Sequence, residues 1–341
     1  MPSARNAELY FESGQSLVPY AVMSDSGDHK TFTAGSLWSG KSGFEPIIRP
    51  NGVVTGNRMV TPAASGSDDV VDVAAFSAWS KGVERAVSSA TDLSITRPAT
   101  DVAKVISITM DETGALAAVA GSDGTDTTFS SVRGADGGPP LIAVDSVEIA
   151  QVRLTSATSA PIEASAIFQV PGQHTERADF PTIEIEDPIG RGLISDDPAS
   201  KKAHIRFDSI LPLNHTGTVS KRVYIQYHEP IFAKVARVEG YVPVEMGYSV
   251  QSSEHYGGAS ASVSRSIGQG SFTAFLKTGV SDVLIQEQGE VLTFKFFPDK
   301  NRSDYQLTQG VLGISRTFPV SGQIQAGCTV SAETGSADFA S

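Results

Sequence analysis

Cysteine is almost missing from this chain: among 341 residues there is one, Cys328. A lone thiol excludes an intramolecular disulfide and every metal site built on paired cysteines. It sits on the apolar face of an alternating segment, where a buried thiol behaves as a small hydrophobe. Cations are scarce as well, 26 Lys and Arg against 38 Asp and Glu, for a formal net charge of −12. That balance counts against a nucleic-acid binder, whose affinity comes mainly from cationic contacts to phosphate. It suits a solvated surface, or a conduit that must not grip DNA. No apolar run approaches the roughly 18 residues of a membrane span, so none is expected. The first residues, Met1 to Asn6, lack the basic-then-apolar layout of a leader, and export by that route is not expected either.

Motifs of catalysis are absent too. Six histidines are present, His29, His174, His204, His215, His228 and His255, but no His-Glu-x-x-His, no paired cysteine and no Gly-x-Ser-x-Gly turn accompanies them. Tyr227-His228-Glu229 and His174-Thr-Glu176 place a carboxylate near a histidine, yet neighbours in a strand usually face opposite ways. Glu184, Glu186, Asp187, Asp196 and Asp197 could suggest the two flanking acids of a glycosidase. A solvated strand face beside a polar loop explains them more simply. Gly268-Gln-Gly270 lacks the third glycine and the lysine of a phosphate loop. Aspartates 123, 126 and 136 lie among glycines without calcium-loop spacing, and read as turn residues. These readings point away from an enzyme and require no cofactor.

What is present is β-alternation. In Val291 to Phe297 the residues Leu292, Phe294 and Phe296 share one face, and Thr293 and Lys295 take the other. Gly310 to Phe318 groups Leu312, Ile314 and Phe318, interrupted by Arg316. The next segment turns Ile324, Ala326, Cys328 and Val330 inward. Upstream, short strands alternate with turns: Asp69–Val73, Val83–Val87 after Ser80-Lys-Gly82, Leu93–Thr96, and a hairpin of Lys104–Met110 and Ala115–Gly121 around Asp111-Glu-Thr-Gly114. A helix is expected over Ser271 to Gly279, with Ser271 as N-cap, Phe272, Phe275 and Leu276 on one face, and Gly279 at its end. The fold class is mainly β. Residues 1–49, rich in Gly, Ser and Pro, form an N-terminal arm, 50–145 a small antiparallel β-domain, and 146–341 a sandwich or barrel domain with one flanking helix.

The segment Gly310 to Glu333, preceded by the expected helix and the Leu292–Phe297 strand, resembles the carboxyl-terminal part of the major tail tube protein family of long-tailed, siphovirus-like bacteriophages. The similarity runs over roughly 145–341. Asn51 to Val152, through Val71-Asp-Val-Ala-Ala75, Lys81-Gly82-Val83, Ile106-Ser-Ile108 and Pro139-Pro-Leu-Ile, is similar to β-modules of phage fibres and baseplates, and would decorate the outside.

The resemblance implies a structural virion subunit, assembled in the host cytoplasm into stacked hexameric rings. Its partners would be further copies of itself, with tape measure and tail terminator or baseplate proteins, and DNA would pass through the channel without specific binding. Expected assembly contacts are Leu193 and Ile194, in the long polar loop 187–202, with Ile324, Cys328 and Val330 on the last strand. The alternatives are a distal tail or baseplate protein that attaches fibres, and a carbohydrate-binding β-module with an aromatic strip near Trp38, Trp79 or Tyr256.

Overall fold

The computed structural model describes residues 6–169, 182–186, 202–206 and 215–339, except 27, 28, 35, 38, 56–58, 218, 220, 221, 257 and 334. The chain is mainly β, built from several antiparallel sheets. Its largest sheet has eight strands, seven of them in the order His228–Lys234, Glu8–Leu17, Val291–Phe297, Tyr305–Thr317, Gln325–Ser331, Gly270–Phe275, Val238–Val242. The eighth, Ala337–Phe339, pairs with the start of Tyr305–Thr317.

This sheet is rolled. Neighbouring strands lie about 4.8 Å apart, so strands three steps apart would be separated by about 14 Å in a flat sheet. Phe294 and Phe272 are three steps apart and their rings are centred 5.8 Å from each other. Tyr241 and Phe296, four steps apart, stack at 4.4 Å. The concave face thus closes over a core of Leu9, Phe11, Phe272, Leu292, Phe294 and Leu312, with Ala326, Cys328 and Val330.

The three carboxyl-terminal strands stand where alternation puts them, and Leu292, Phe294, Leu312, Ala326, Cys328 and Val330 are buried. Phe318 and Ile324 are exceptions: one strand ends at Thr317 and the next begins at Gln325, so the Phe318 ring is exposed and Ile324 is half-buried. Arg316, which interrupts the apolar face, donates to the Gly279 carbonyl at 2.9 Å.

Two expectations for the ends of this domain are corrected. The N-terminal segment is no arm, since Glu8–Leu17 is inserted between two strands of the large sheet. Only Leu9 and Phe11 alternate before a register shift at Glu12–Gly14, too short a pattern to mark a strand in sequence. The bulge turns the Glu12 carboxylate inward, where it accepts from the Ser39 hydroxyl, from Gln15 at 3.0 Å and from the Thr293 amide at 3.1 Å. The helix over Ser271–Gly279 is likewise a strand, Gly270–Phe275, burying Phe272 and Ala274 and paired on both edges. Pairing on both sides outweighs the weak helical face. Among the described residues the α-helix is instead the four-residue Val283–Gln286, whose Leu284 enters the core.

The smaller β-unit is self-contained. Its sheets, Val83–Val87 with Phe76–Ser80 and Gly52–Thr55, Ala90–Ser94 with Val70–Val73 and Val60–Pro62, and a four-stranded one, all pair within residues 52–169. The four-stranded sheet contains the Lys104–Met110 and Leu116–Ala120 hairpin, with Gly114 at φ +93° in its turn, as the sequence suggests. Lys81 and Gly82 both take positive φ in the two-residue turn between Phe76–Ser80 and Val83–Val87. The unit does not stop at residue 145. Val147–Leu154 pairs with Lys104–Met110, and Ile167–Gln169 pairs with Val147–Leu154. Ile149 and Val152 belong to the same core as Ile106 and Ile108, so burial fixes the boundary beyond the expected one.

The unit is inserted between paired strands. Ile47–Pro50 lies beside Val223–Gln226, and the Asn51 amide donates to the Arg222 carbonyl at 2.9 Å. At this junction Tyr224 donates to the Asp145 carboxylate, Ser80 donates to the Asp145 carbonyl at 3.0 Å, and the Arg49 guanidinium lies 4.4 Å over Trp79. Burial first, and the Asp145 bond second, push the Tyr224 hydroxyl well above the ordinary phenol range. Tyr224→Phe leaves a buried carboxylate short of one of its donors, with Asn51 at 3.4 Å remaining, and should lower stability by about 1.5–3 kcal/mol. Urea denaturation checks it, and a midpoint equal to wild type would show that the bond contributes nothing.

Candidate functional site

Among the described residues, exposed apolar side chains gather on a hairpin. Met246–His255 and Gly258–Ile267, ten residues each, pair with one another and form a two-stranded sheet that no third described strand joins. They prolong the edge of the rolled sheet, since Val238–Val242 leads into the first and the second leads into Gly270–Phe275. The base is fixed by bonds from the Gly268 amide to the Glu245 carbonyl, 2.9 Å, and from the Ser336 amide to the Val244 carbonyl, 2.7 Å.

Register gives the hairpin two unlike faces. Tyr248 opposes Arg265, Val250 opposes Val263, Ser252 opposes Ala261 and Met246 opposes Ile267. On the other face Gly247, Ser249, Gln251 and Ser253 oppose Ser266, Ser264, Ser262 and Ser260. The hydroxyls there bond across the strands, Ser249 to Ser264 at 2.5 Å and Ser253 to Ser260 at 2.9 Å. Strand alternation therefore sorts the sequence into a serine ladder and an apolar stripe. Val250 and Val263, directly opposite each other, are 66% and 63% exposed.

An isolated two-stranded hairpin is marginally stable in water. Burying Val250, Val263 and Ile267 would contribute about 1.5–3 kcal/mol each before the cost of association. The arrangement is suited to docking.

Of the five residues expected to carry contacts, the structure describes three. Leu193 and Ile194, with the loop 187–202 up to residue 201, lie outside the described residues, as do Trp38 and His174. Cys328 and Val330 are buried in the chain's own core, and Gln325–Ser331 is paired on both edges, so this strand offers no free edge to a neighbour. Burial pushes the Cys328 thiol up to about 12, which keeps it protonated. Ile324 is half-buried, and its carbonyl accepts from the Leu276 amide at 2.9 Å. The signal for the hairpin was present in Met246 to Ile267 as alternation of Tyr, Val and Ile with Ser, but a stripe destined for a partner reads like any half-buried strand.

The candidate chemical groups are engaged in structure. His215 is buried, with Nδ1 3.1 Å from the Ala143 carbonyl, and desolvation lowers its pKa. His228 packs edge-on against Phe44 while Glu229 accepts from Ser36, so the neighbours diverge. Asp123 pairs with Lys104 at 2.9 Å, and Asp126 accepts from the Thr128 amide at 2.7 Å. Glu184 and Glu186 stand opposite His204 and Lys202 in register. Of the aromatic side chains on Val291–Phe297, Phe294 enters the core, while Phe297 meets Tyr10 and Tyr305, each at 5.7 Å. Among the described residues no group of His, Cys, Asp or Glu is placed to hold a metal, and no helix is long and apolar enough to cross a membrane. No protein-family model, curated protein or solved structure matches this chain.

Proposed function

We propose that the chain is a structural subunit of a bacteriophage tail, the major tube subunit, whose copies form stacked hexameric rings around the DNA channel. The observation that carries this reading is the free-standing two-faced hairpin on the edge of a rolled sheet. Its apolar stripe and unpaired strand edges gain most when a second copy covers them. The acidic balance of the chain, −12, supports a wall along which DNA slides. The inserted unit at 52–169 would stand on the outer surface. That added unit also favours a second reading, a distal tail or baseplate protein attaching fibres, which a handful of copies per virion rather than many dozens would distinguish.

Negative-stain imaging and sedimentation of the purified protein test the proposal. Rings or tubes are expected at high protein concentration. A single monomeric species at every concentration would remove the assembly reading.

A further inference from the structure

A cavity of about 430 Å³ opens at the opposite end of the strand pair that bears the hairpin. Val238 pairs with Ala274 near the cavity, whereas Val242 pairs with Ser271 near the hairpin base. Phe11, Val235, Ala236, Phe275, Leu276 and Leu284 supply its wall. Val283, more than half exposed, extends the apolar surface at the mouth. The wall is held by the turn before the short helix. There the Asp282 carboxylate, despite burial working to raise its pKa, is brought to about 2 by the amides of Lys277, Thr278 and Gly279 and the Thr278 hydroxyl. Asp282 is thus a spent anion, committed to the turn.

At the far tip of the hairpin stands Tyr256, fully exposed, two residues after Glu254. We propose that the hairpin of one copy seats Tyr256 in this cavity on the next, an inference that rests on the self-assembly reading above. Knob and hole lie at opposite ends of one strand pair, so copies related by translation along it can engage head to tail without using the same patch twice. Ten residues of strand reach about 34 Å, enough to span to a neighbouring copy. Contacts of this heterologous kind propagate into rings or open stacks.

Chemistry agrees. Cavities of roughly 300–1,000 Å³ with apolar walls enclose small molecules, so an aromatic side chain fits. Tyrosine brings a large apolar body with one polar tip. Lys234 lines the cavity and is opposite in sign to Glu254, although it also pairs with Glu8 at 2.6 Å, and the other charged group of the lining, Asp282, is held by its own turn. Such complementarity favours encounter in this orientation.

The test joins the two positions covalently. Full-length protein carrying Tyr256→Cys and Ala236→Cys is oxidised at a concentration above that at which Tyr256→Ser assembles, with each single variant as control. Buried Cys328, its thiol raised to about 12, stays out of the reaction. A ladder of disulfide-linked multimers is expected from the double variant, and at most dimers from the singles. Tyr256→Ser should raise the concentration needed for assembly at least tenfold. Assemblies of the double variant with no ladder, or Tyr256→Ser assembling at the wild-type concentration, would overturn the inference alone. A wild-type protein that never assembles would overturn the parent reading and this one together.

Discussion

Removing the hairpin is expected to abolish the proposed assembly and to leave the subunit folded. The construction replaces residues 247–266 with a two-glycine turn between Met246 and Ile267, which already face each other in register. None of the replaced residues belongs to a buried core cluster, and both faces of the hairpin are exposed. Stability should change by no more than about 0.5 kcal/mol, the usual size for surface changes away from special features. Loss of assembly should be complete, because the apolar stripe and the tip aromatic vanish together. Sedimentation velocity reads the assembly, and denaturant unfolding reads the fold. Assembly at the wild-type level would exclude the hairpin as the interface. An unfolded product would show instead that the hairpin serves the subunit's own stability.

The second large effect concerns the rolled sheet. Phe294→Ala should cost about 3–5 kcal/mol, the range for truncating a fully buried aromatic. Phe294 is completely buried, faces Phe272 across the roll and lies between strands on both sides. The loss should fall on one unit only. Cores containing Phe294 and Ile106 share no residue, and every strand of the inserted unit pairs within residues 52–169. A fragment spanning 50–169 should therefore unfold cooperatively by itself, with the same midpoint as the corresponding transition in the full chain carrying Phe294→Ala. A fragment that fails to fold, or a variant that shifts both transitions equally, would mean that the junction at Asp145 and Tyr224 makes the chain one cooperative body.

The core of the closing strands was legible because period-two alternation maps directly onto burial: Leu292, Phe294, Ala326, Cys328 and Val330 all point inward. Turn chemistry was legible for a similar reason, since Gly82 and Gly114 meet positive φ that other residues resist. Glu8–Leu17 was not. Its strand identity comes from partners more than two hundred residues away in the chain, His228–Lys234 and Val291–Phe297, which supply hydrogen bonds no local pattern announces. The misplaced helix has the same origin. Phe272, Phe275 and Leu276 are compatible with a helical face, and only sheet neighbours on both edges select the strand.

The candidate site follows this division. Sequence alone determined that the chain is acidic, has no intramolecular disulfide and is rich in alternating strands, because charge, cysteine count and periodicity are properties of residues and their order. It also contained the two unlike faces of Met246–Ile267. Tertiary structure decided that no third described strand covers that hairpin and that a cavity opens at the other end of its supporting strand pair. Exposure and relative position arise only when strands distant in sequence pair and the sheet rolls, so neither can be read from a local pattern.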